Sequence, residues 1–216
     1  MSVASAFDIG ARSDFPPHAM KHFLNTILAV AGIAFLSSCS TNMIGGSYSV
    51  KAYAPHNPSA VRVKVSTSTQ NIYVMEGSRV LMAVQGCVGA HGATGSGHYT
   101  IQEKIKKKRR VSEPDAGYPM AYWCSWKSAY GFHEGFVHPY PRTHGCIRLH
   151  REAAARFFEL VRIGTPVDIA SSQPEDATVG KTVRKLDQSR DPDPARSYML
   201  SEAWFKDPAG PLLIKE

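Results

Sequence analysis

The chain has 216 residues, enough for one domain of ordinary size with appendages. Its 43% hydrophobic and 20% charged residues exclude a disordered chain, and four cysteines are too few for a disulfide-stabilised scaffold. The net charge of +7 is concentrated in residues 39–170, which carry 16 basic and 8 acidic side chains. Such a segment is compatible with nucleic acid, anionic lipid or an anionic polymer, and its sign alone does not choose among them.

The amino-terminal segment has the features of an export signal. A short basic start precedes the apolar run 23–36, which has the length of a secretory hydrophobic region and is too short to span a bilayer comfortably. The next residues, Leu-Ser-Ser-Cys, resemble the lipobox of bacterial lipoproteins, which ends at the lipidated cysteine, here Cys39. We therefore predict a signal peptide over 1–38, with translation starting at Met20, because the acidic side chains further upstream do not belong in a signal sequence.

Lipidation of Cys39 predicts a membrane anchor, since more than one acyl chain holds a protein stably at a bilayer. Ser40 follows the cysteine, which resembles the sorting pattern for the outer membrane of Gram-negative bacteria. We expect a periplasm-facing lipoprotein of the cell envelope, for which nucleic acid is not a partner. The alternative is a plain signal peptide or short anchor helix with an incidental cysteine. The small and polar residues that follow predict a linker over 39–59.

Strand signals dominate residues 60–170. Alternating or β-branched apolar runs predict strands at 61–65, 72–75, 80–84, 98–101, 120–126, 131–133 and 167–169. Turn residues between the second and third strands predict a hairpin there. One helix is predicted from His150 to Val161, where apolar residues recur at helical spacing before Gly164. Residues 171–216 are polar with five prolines and predict a tail that either is flexible or folds back on the domain.

The stretch 131–149, GFHEGFVHPYPRTHGCIRL, carries the chemistry. Cysteine attacks carbonyls well only as a thiolate, so Cys146 needs a base or a cation beside it, and a histidine on a neighbouring strand supplies both. Gly145 allows a tight turn, after which its amide and that of Cys146 could point at a developing oxyanion. The alternative is a buried, inert cysteine, for which the flanking His-Gly and Arg are unusual.

These residues resemble the signature of the L,D-transpeptidases (YkuD-type catalytic domain). THGCIRL at 143–149, with GFH at 131–133, carries the likeness, and 94–101, 119–123 and 164–169 resemble further segments of the family in the same order. The resemblance covers about residues 60–170. It implies a mostly β, sandwich-like or barrel-like catalytic domain with one principal helix after the cysteine.

The family's catalytic roles carry over residue by residue. The resemblance implies that Cys146 is the nucleophile and that His133 is the general base that takes its proton. It implies that the backbone carbonyl of Glu134 orients His133. His144 and Gly145 are implied to shape the oxyanion pocket together with the Cys146 amide.

Four further positions are implied to face the substrate. Arg148 has a planar fork that suits a peptide carboxylate, and Tyr122 and Tyr130 are implied to line the donor cleft. Thr143 stands where the family more often has serine and keeps the hydroxyl. Gly95 departs from the usual proline, and the loop before Thr143 is short, which leaves the choice of acceptor open.

The implied reaction begins on a peptidoglycan stem tetrapeptide. Cys146 attacks the carbonyl of the third residue, a diamino acid, and D-Ala leaves. Transfer to the amine of another stem forms a 3→3 cross-link, and transfer to a lysine of an envelope lipoprotein tethers that protein to the wall. Transfer to water makes the enzyme an L,D-carboxypeptidase, and a non-catalytic peptidoglycan-binding lipoprotein is the non-enzyme alternative. The resemblance implies no cofactor, and it implies acylation of Cys146 by carbapenems.

The remaining cysteines and histidines leave two alternatives open. Four histidines between 133 and 150, together with Cys146, could supply zinc ligands, although their spacing is not that of a closed zinc finger. We predict no metal. Cys87 and Cys124 either pair in an oxidising envelope or, as we favour, remain free thiols.

A run of cations at 104–110, KIKKKRR, lies between predicted strands. We expect a solvated loop there, and attraction to anionic envelope polymers or lipid headgroups is the alternative. Trp123 and Trp126 are expected in the core or the cleft wall. Trp204 and Phe205 are expected to anchor the tail onto the domain, with a partner site as the alternative.

Overall fold

The computed structural model describes residues 48–110 and 118–216. The predicted signal peptide, Cys39 and the first part of the linker lie outside these residues. Among the described residues, no helix is both long and apolar enough to cross a membrane. This part of the chain is mostly β, as predicted, and its nine strands form one continuous curled sheet.

The first half of the sheet contains five strands. From the edge inward they are β4 (Gly97–Thr100), β9 (Pro166–Ala170), β1 (Val61–Ser66), β2 (Asn71–Glu76) and β3 (Arg79–Cys87). β2 and β3 form the predicted hairpin, and β9 lies parallel to β1 while β4 lies antiparallel to β9. In β1 the three valines are buried and Arg62 is exposed, which is the alternation that predicted this strand.

The second half of the sheet continues from the end of β3. Its strands are, in spatial order, β8 (Ile147–Leu149), β7 (Tyr130–Glu134), β6 (Met120–Lys127) and β5 (Glu103–Lys108). The last two residues of β3, Gly86 and Cys87, pair with β8. β8 lies parallel to β7, whereas the other strands of this half are antiparallel. The parallel pair matters for function because β7 carries His133 and β8 directly follows Cys146.

The principal helix is α1 (Arg151–Leu160), which begins directly after β8. His150 caps it, since its Nδ1 accepts a hydrogen bond from the Glu152 N–H at 3.2 Å. The apolar side of α1 packs against β6, β7 and β8, and the ring of Phe157 lies 4.4 Å from that of Phe132. This helix is therefore where the periodicity predicted it, and it supports the strands of the site from inside.

The carboxyl-terminal residues fold back on the domain. They include a short helix, α2 (Arg196–Leu200), and the indole and phenyl rings of Trp204 and Phe205 are buried in the core. Arg151 at the start of α1 donates hydrogen bonds to the carbonyls of Trp204 and Lys206. We call residues 196–207 the carboxyl-terminal strap. Anchoring of the tail by its aromatic pair is thus confirmed.

The basic run is not a solvated loop, and that prediction was wrong. Most of it forms the edge strand β5, which the sequence analysis did not recognise. Lys106 pairs with Asp207 at 2.7 Å, and Lys107 pairs with Glu202 of the strap. Arg109 donates to backbone carbonyls of α2. The three cations therefore contact the strap, two through its acidic side chains and one through its backbone carbonyls.

Candidate active site

The parallel pairing of β7 and β8 brings the predicted nucleophile and base onto one face of the sheet. Phe132 is opposite Ile147, and His133 is opposite Arg148. Side chains alternate along strands, so Phe132 and Ile147 enter the core beside α1 while His133 and Arg148 share the opposite face. Cys146 stands two residues before Arg148, at the entrance of β8.

The thiol of Cys146 is half-buried and protonated at rest. Its Sγ donates a hydrogen bond to the carbonyl of Ala129 at 3.6 Å. Burial raises the pKa of Cys146, while the Gly131 N–H and the positive charge of Arg148 oppose this rise. The site therefore holds a thiol that needs a base at the moment of attack.

His133 is buried and has the tautomer of a base. Its Nδ1 lies 2.7 Å from the carbonyl oxygen of Glu134, which is only an acceptor, so Nδ1 carries the proton and Nε2 carries the lone pair. Burial lowers the pKa of His133 to about 4; the hydrogen bond to the Glu134 carbonyl opposes this shift, and the nearby charge of Arg148 adds to it. Orientation by the Glu134 carbonyl, which the sequence resemblance implied, is present in the structure.

The turn before Cys146 requires glycine. Gly145 has φ +133°, and a Cβ built there would lie 1.9 Å from a carbon of the Tyr130 ring. The Gly145 N–H donates to Thr143 Oγ1 at 3.1 Å, and this hydroxyl donates to the Cys146 carbonyl. Of the two amides that the sequence interpretation directed at the oxyanion, that of Gly145 is thus bonded to Thr143. The Cys146 N–H lies at its own Sγ.

Residues 60–169 match the family profile of the L,D-transpeptidase catalytic domain, YkuD. This match covers half of the chain and includes Cys146 and His133. The chain belongs to the L,D-transpeptidase catalytic domain family. A comparison with curated proteins gives no match.

Solved L,D-transpeptidases resemble the structure at low identity. Those from Stackebrandtia nassauensis and Mycobacterium smegmatis are 20% and 19% identical, with TM-scores of 0.47 and 0.45. The aligned part covers 57% and 51% of this chain, and 60% and 58% of those chains. An L,D-transpeptidase from Mycobacterium tuberculosis is 23% identical with a TM-score of 0.46, and the aligned part covers 51% of this chain and 57% of that one. The chain thus spans less than two thirds of the length of these structures.

The other predicted residues of this L,D-transpeptidase domain lie in different surroundings. Arg148 is partly exposed on the catalytic face, and within the described residues it has no hydrogen bond or ion pair. His144 is exposed, and the ring of Tyr130 packs against Gly145. Tyr122 is only 1% exposed and its hydroxyl donates to Asp207 at 3.0 Å, so it is covered by the carboxyl-terminal strap and does not line an open cleft.

The remaining thiols and histidines are dispersed. Among the described residues, no three His, Cys, Asp or Glu side chains are grouped as metal ligands. Cys87 and Cys124 are both buried free thiols, and burial raises the pKa of Cys124 to about 12. His138 stacks on Tyr140 in the loop after β7, and His150 caps α1. Neither of these histidines joins the site.

Two features of the site were missed by sequence reasoning. Thr94, which was noted only as part of a family-like segment, is buried and hydrogen-bonded to the Gly145 carbonyl. The side chain of Glu134 is buried in an ion pair with Arg151 at 3.1 Å, and burial raises the pKa of Glu134 to about 7. The only available signal for the second feature was a charged residue inside an apolar strand.

Proposed function

We propose that this protein is a cysteine L,D-transpeptidase of peptidoglycan. The observation that carries the proposal is the neutral His133, fixed through Nδ1 to the Glu134 carbonyl, on the same face of adjacent parallel strands as the half-buried Cys146. A purely binding domain needs neither a thiol nor an oriented base. The family membership favours the same reaction.

The first half of the proposed reaction acylates the enzyme. His133 Nε2 takes the thiol proton as Cys146 Sγ attacks the carbonyl of the third residue of a stem tetrapeptide. The carbonyl electron pair moves to oxygen, and the Cys146 N–H donates to this oxyanion. When the intermediate collapses, the C–N bond to D-Ala breaks and His133 returns the proton to the leaving amine. A thioester between Cys146 and the stem remains.

The second half transfers the acyl group to an amine. The acceptor amine loses its proton to His133 and attacks the thioester, and the thiolate leaves and is reprotonated. An amine of another stem gives a 3→3 cross-link, and a lysine of an envelope lipoprotein gives attachment of that protein to the wall. Two neutral groups at rest suit this cycle, because each step begins with proton removal by an uncharged imidazole.

Substrate binding is assigned to the catalytic face. Arg148 lies opposite His133 and its charge acts on the thiol, so we assign its guanidinium to a carboxylate of the stem peptide. We place the donor cleft along Tyr130, whose ring lies against Gly145. We further propose that the enzyme works in the cell envelope, held to the outer membrane by lipid at Cys39, which the lipobox-like sequence supports.

Product analysis tests the function. The purified protein is mixed with a disaccharide-tetrapeptide, and the products are separated and weighed by mass spectrometry. Dimers joined 3→3 with loss of D-Ala are expected, and none with Cys146→Ala. Tripeptide monomers alone would identify water as the acceptor. Unchanged substrate, with Cys146 shown to be reduced, would contradict the proposal.

A further inference from the structure

A buried threonine hydrogen-bonds the backbone directly before the nucleophile. Thr94 lies in the loop between β3 and β4 and is 5% exposed. Its Oγ1 accepts a hydrogen bond from the Gly89 N–H at 2.7 Å and donates to the Gly145 carbonyl at 3.0 Å. A threonine hydroxyl has one proton, so the donation to Gly145 is its only one. The contact joins two segments that are 51 residues apart.

The Gly145 carbonyl and the Cys146 N–H belong to one peptide group. A trans peptide is planar, and its C=O and N–H point in opposite directions. A side chain that fixes the carbonyl therefore fixes the direction of the N–H. The Cys146 N–H points towards its own Sγ, and within the described residues it has no hydrogen bond to a carbonyl or to another side chain. It is thus free to receive an oxyanion.

The loop that carries Thr94 is itself held in place. Gly89 pairs with Thr143, and the Ala90 N–H donates to the Thr143 carbonyl at 2.9 Å. A Cβ built on Gly89 would lie 2.7 Å from the Thr94 backbone nitrogen, so the two ends of the turn are in close contact. The turn that carries Thr94 is therefore bonded to the segment that precedes Cys146.

Glycine makes this support necessary. With φ +133°, Gly145 occupies backbone space that is accessible to glycine, and glycine has the widest choice of alternatives. Thr143 holds the Gly145 N–H and the Cys146 carbonyl, which belong to the peptide groups on either side. Among the described residues, Thr94 is the side chain that holds the peptide group between them.

We propose that Thr94 is a positioning residue for catalysis, which aims the Cys146 N–H at the oxyanion by anchoring the Gly145 carbonyl. The inference rests on the proposed function, since it concerns the carbonyl-addition step of that reaction. Thr94 does not touch the substrate. Its hydroxyl is required when negative charge develops on a carbonyl oxygen, and it is not required for the nucleophilicity of the thiol.

Two reactions of the same thiol separate these roles. Acylation by imipenem passes through a tetrahedral oxyanion, whereas alkylation by iodoacetamide displaces iodide and forms no oxyanion. Thr94→Val and Thr94→Ala remove the hydroxyl, and Thr94→Ser restores it. Thr165→Val is the matched control, because Thr165 is 2% exposed and its hydroxyl also accepts a backbone N–H, from Arg162, at 2.9 Å. Both rates are measured by intact-protein mass spectrometry, with thermal unfolding as the folding control.

We expect Thr94→Val to slow acylation roughly tenfold to a hundredfold, because a misdirected oxyanion donor loses most of its effect. Alkylation should stay within about twofold of wild type. Thr94→Ser should recover most of the acylation rate, and Thr165→Val should change neither rate. Equal acylation of wild type and the hydroxyl-free variants would overturn the inference alone, as would a parallel loss of both rates. Wild-type protein that is alkylated but never acylated would overturn the proposed function as well.

Discussion

Arg151→Met tests how the carboxyl-terminal strap is coupled to β7, the strand that carries His133. Arg151 binds the buried carboxylate of Glu134 at 3.1 Å and two carbonyls of the strap. Methionine keeps the packing volume of the stem but removes the charge and its donors. We expect a loss of stability that grows with pH, because Glu134 is the group whose ionisation depends on this arginine.

The magnitude follows from the pKa of Glu134, which burial raises to about 7 and which Arg151 opposes. At about pH 6 the carboxyl group is mostly protonated in the native wild type, so the variant loses only the hydrogen bonds, about 2 kcal/mol. Without Arg151 the native pKa rises further. Above pH 7 the native variant then holds one proton more than its unfolded state, and its stability falls by up to about 1.4 kcal/mol per pH unit.

At about pH 8.5 the total loss should therefore approach 4 kcal/mol, within the range of about 3–5 kcal/mol for a broken buried ion pair. The wild type has no matching slope above pH 7, since Glu134 is then ionised in both states. Urea unfolding followed by circular dichroism, at about pH 6 and about pH 8.5, gives both values.

Two variants complete the test. Arg151→Met combined with Glu134→Gln should lose the pH dependence. Arg156→Met removes a similarly buried arginine of α1, whose partner Glu152 is 26% exposed compared with 9% for Glu134, and its loss should be equal at both pH values. An equal loss for Arg151→Met at the two pH values would refute the coupling.

Three further results are expected. Gly145→Ala should lower the rate of acylation by about a hundredfold or more, as measured by stopped-flow kinetics. The new methyl group would overlap the Tyr130 ring, and the backbone could not keep φ +133°. Trp204→Ala should cost about 3–5 kcal/mol in denaturant unfolding, since the indole is 6% exposed in the core. In a plot of acylation rate against pH, the midpoint of the acid limb should lie near the His133 pKa of about 4, because the base must be neutral. A midpoint near 6.5 would contradict the burial of His133.

Local patterns predicted most of the fold. The valine alternation of β1, the hairpin and the periodicity of α1 depend on residues close in sequence, and all three are present in the structure. β8 was missed because it has three residues and directly follows the nucleophile. β5 was missed because its lysines read as a solvated run, and the acids that pair with them are about a hundred residues further along the chain.

In the candidate site, too, local contacts could be predicted from the sequence and contacts with distant segments could not. The contact of His133 with the Glu134 carbonyl was predictable because the motif lies within one strand pair. The burial of Tyr122 under the strap and the contact from Thr94 could not be read from the sequence, because each depends on a distant segment. The hydrogen bond from the Gly145 amide was not predicted, since nothing in the order of residues shows that a hydroxyl two positions away binds it.

Trapping the acyl-enzyme shows whether Cys146 is the nucleophile. The protein is incubated with a disaccharide-tetrapeptide, quenched in acid, and analysed by intact-protein and peptide mass spectrometry. We expect an adduct on Cys146 that has the mass of the donor minus D-Ala. This adduct should be absent in Cys146→Ala and should form about a hundredfold more slowly in His133→Ala. An adduct on another residue, or full acylation of the Cys146→Ala variant, would contradict it.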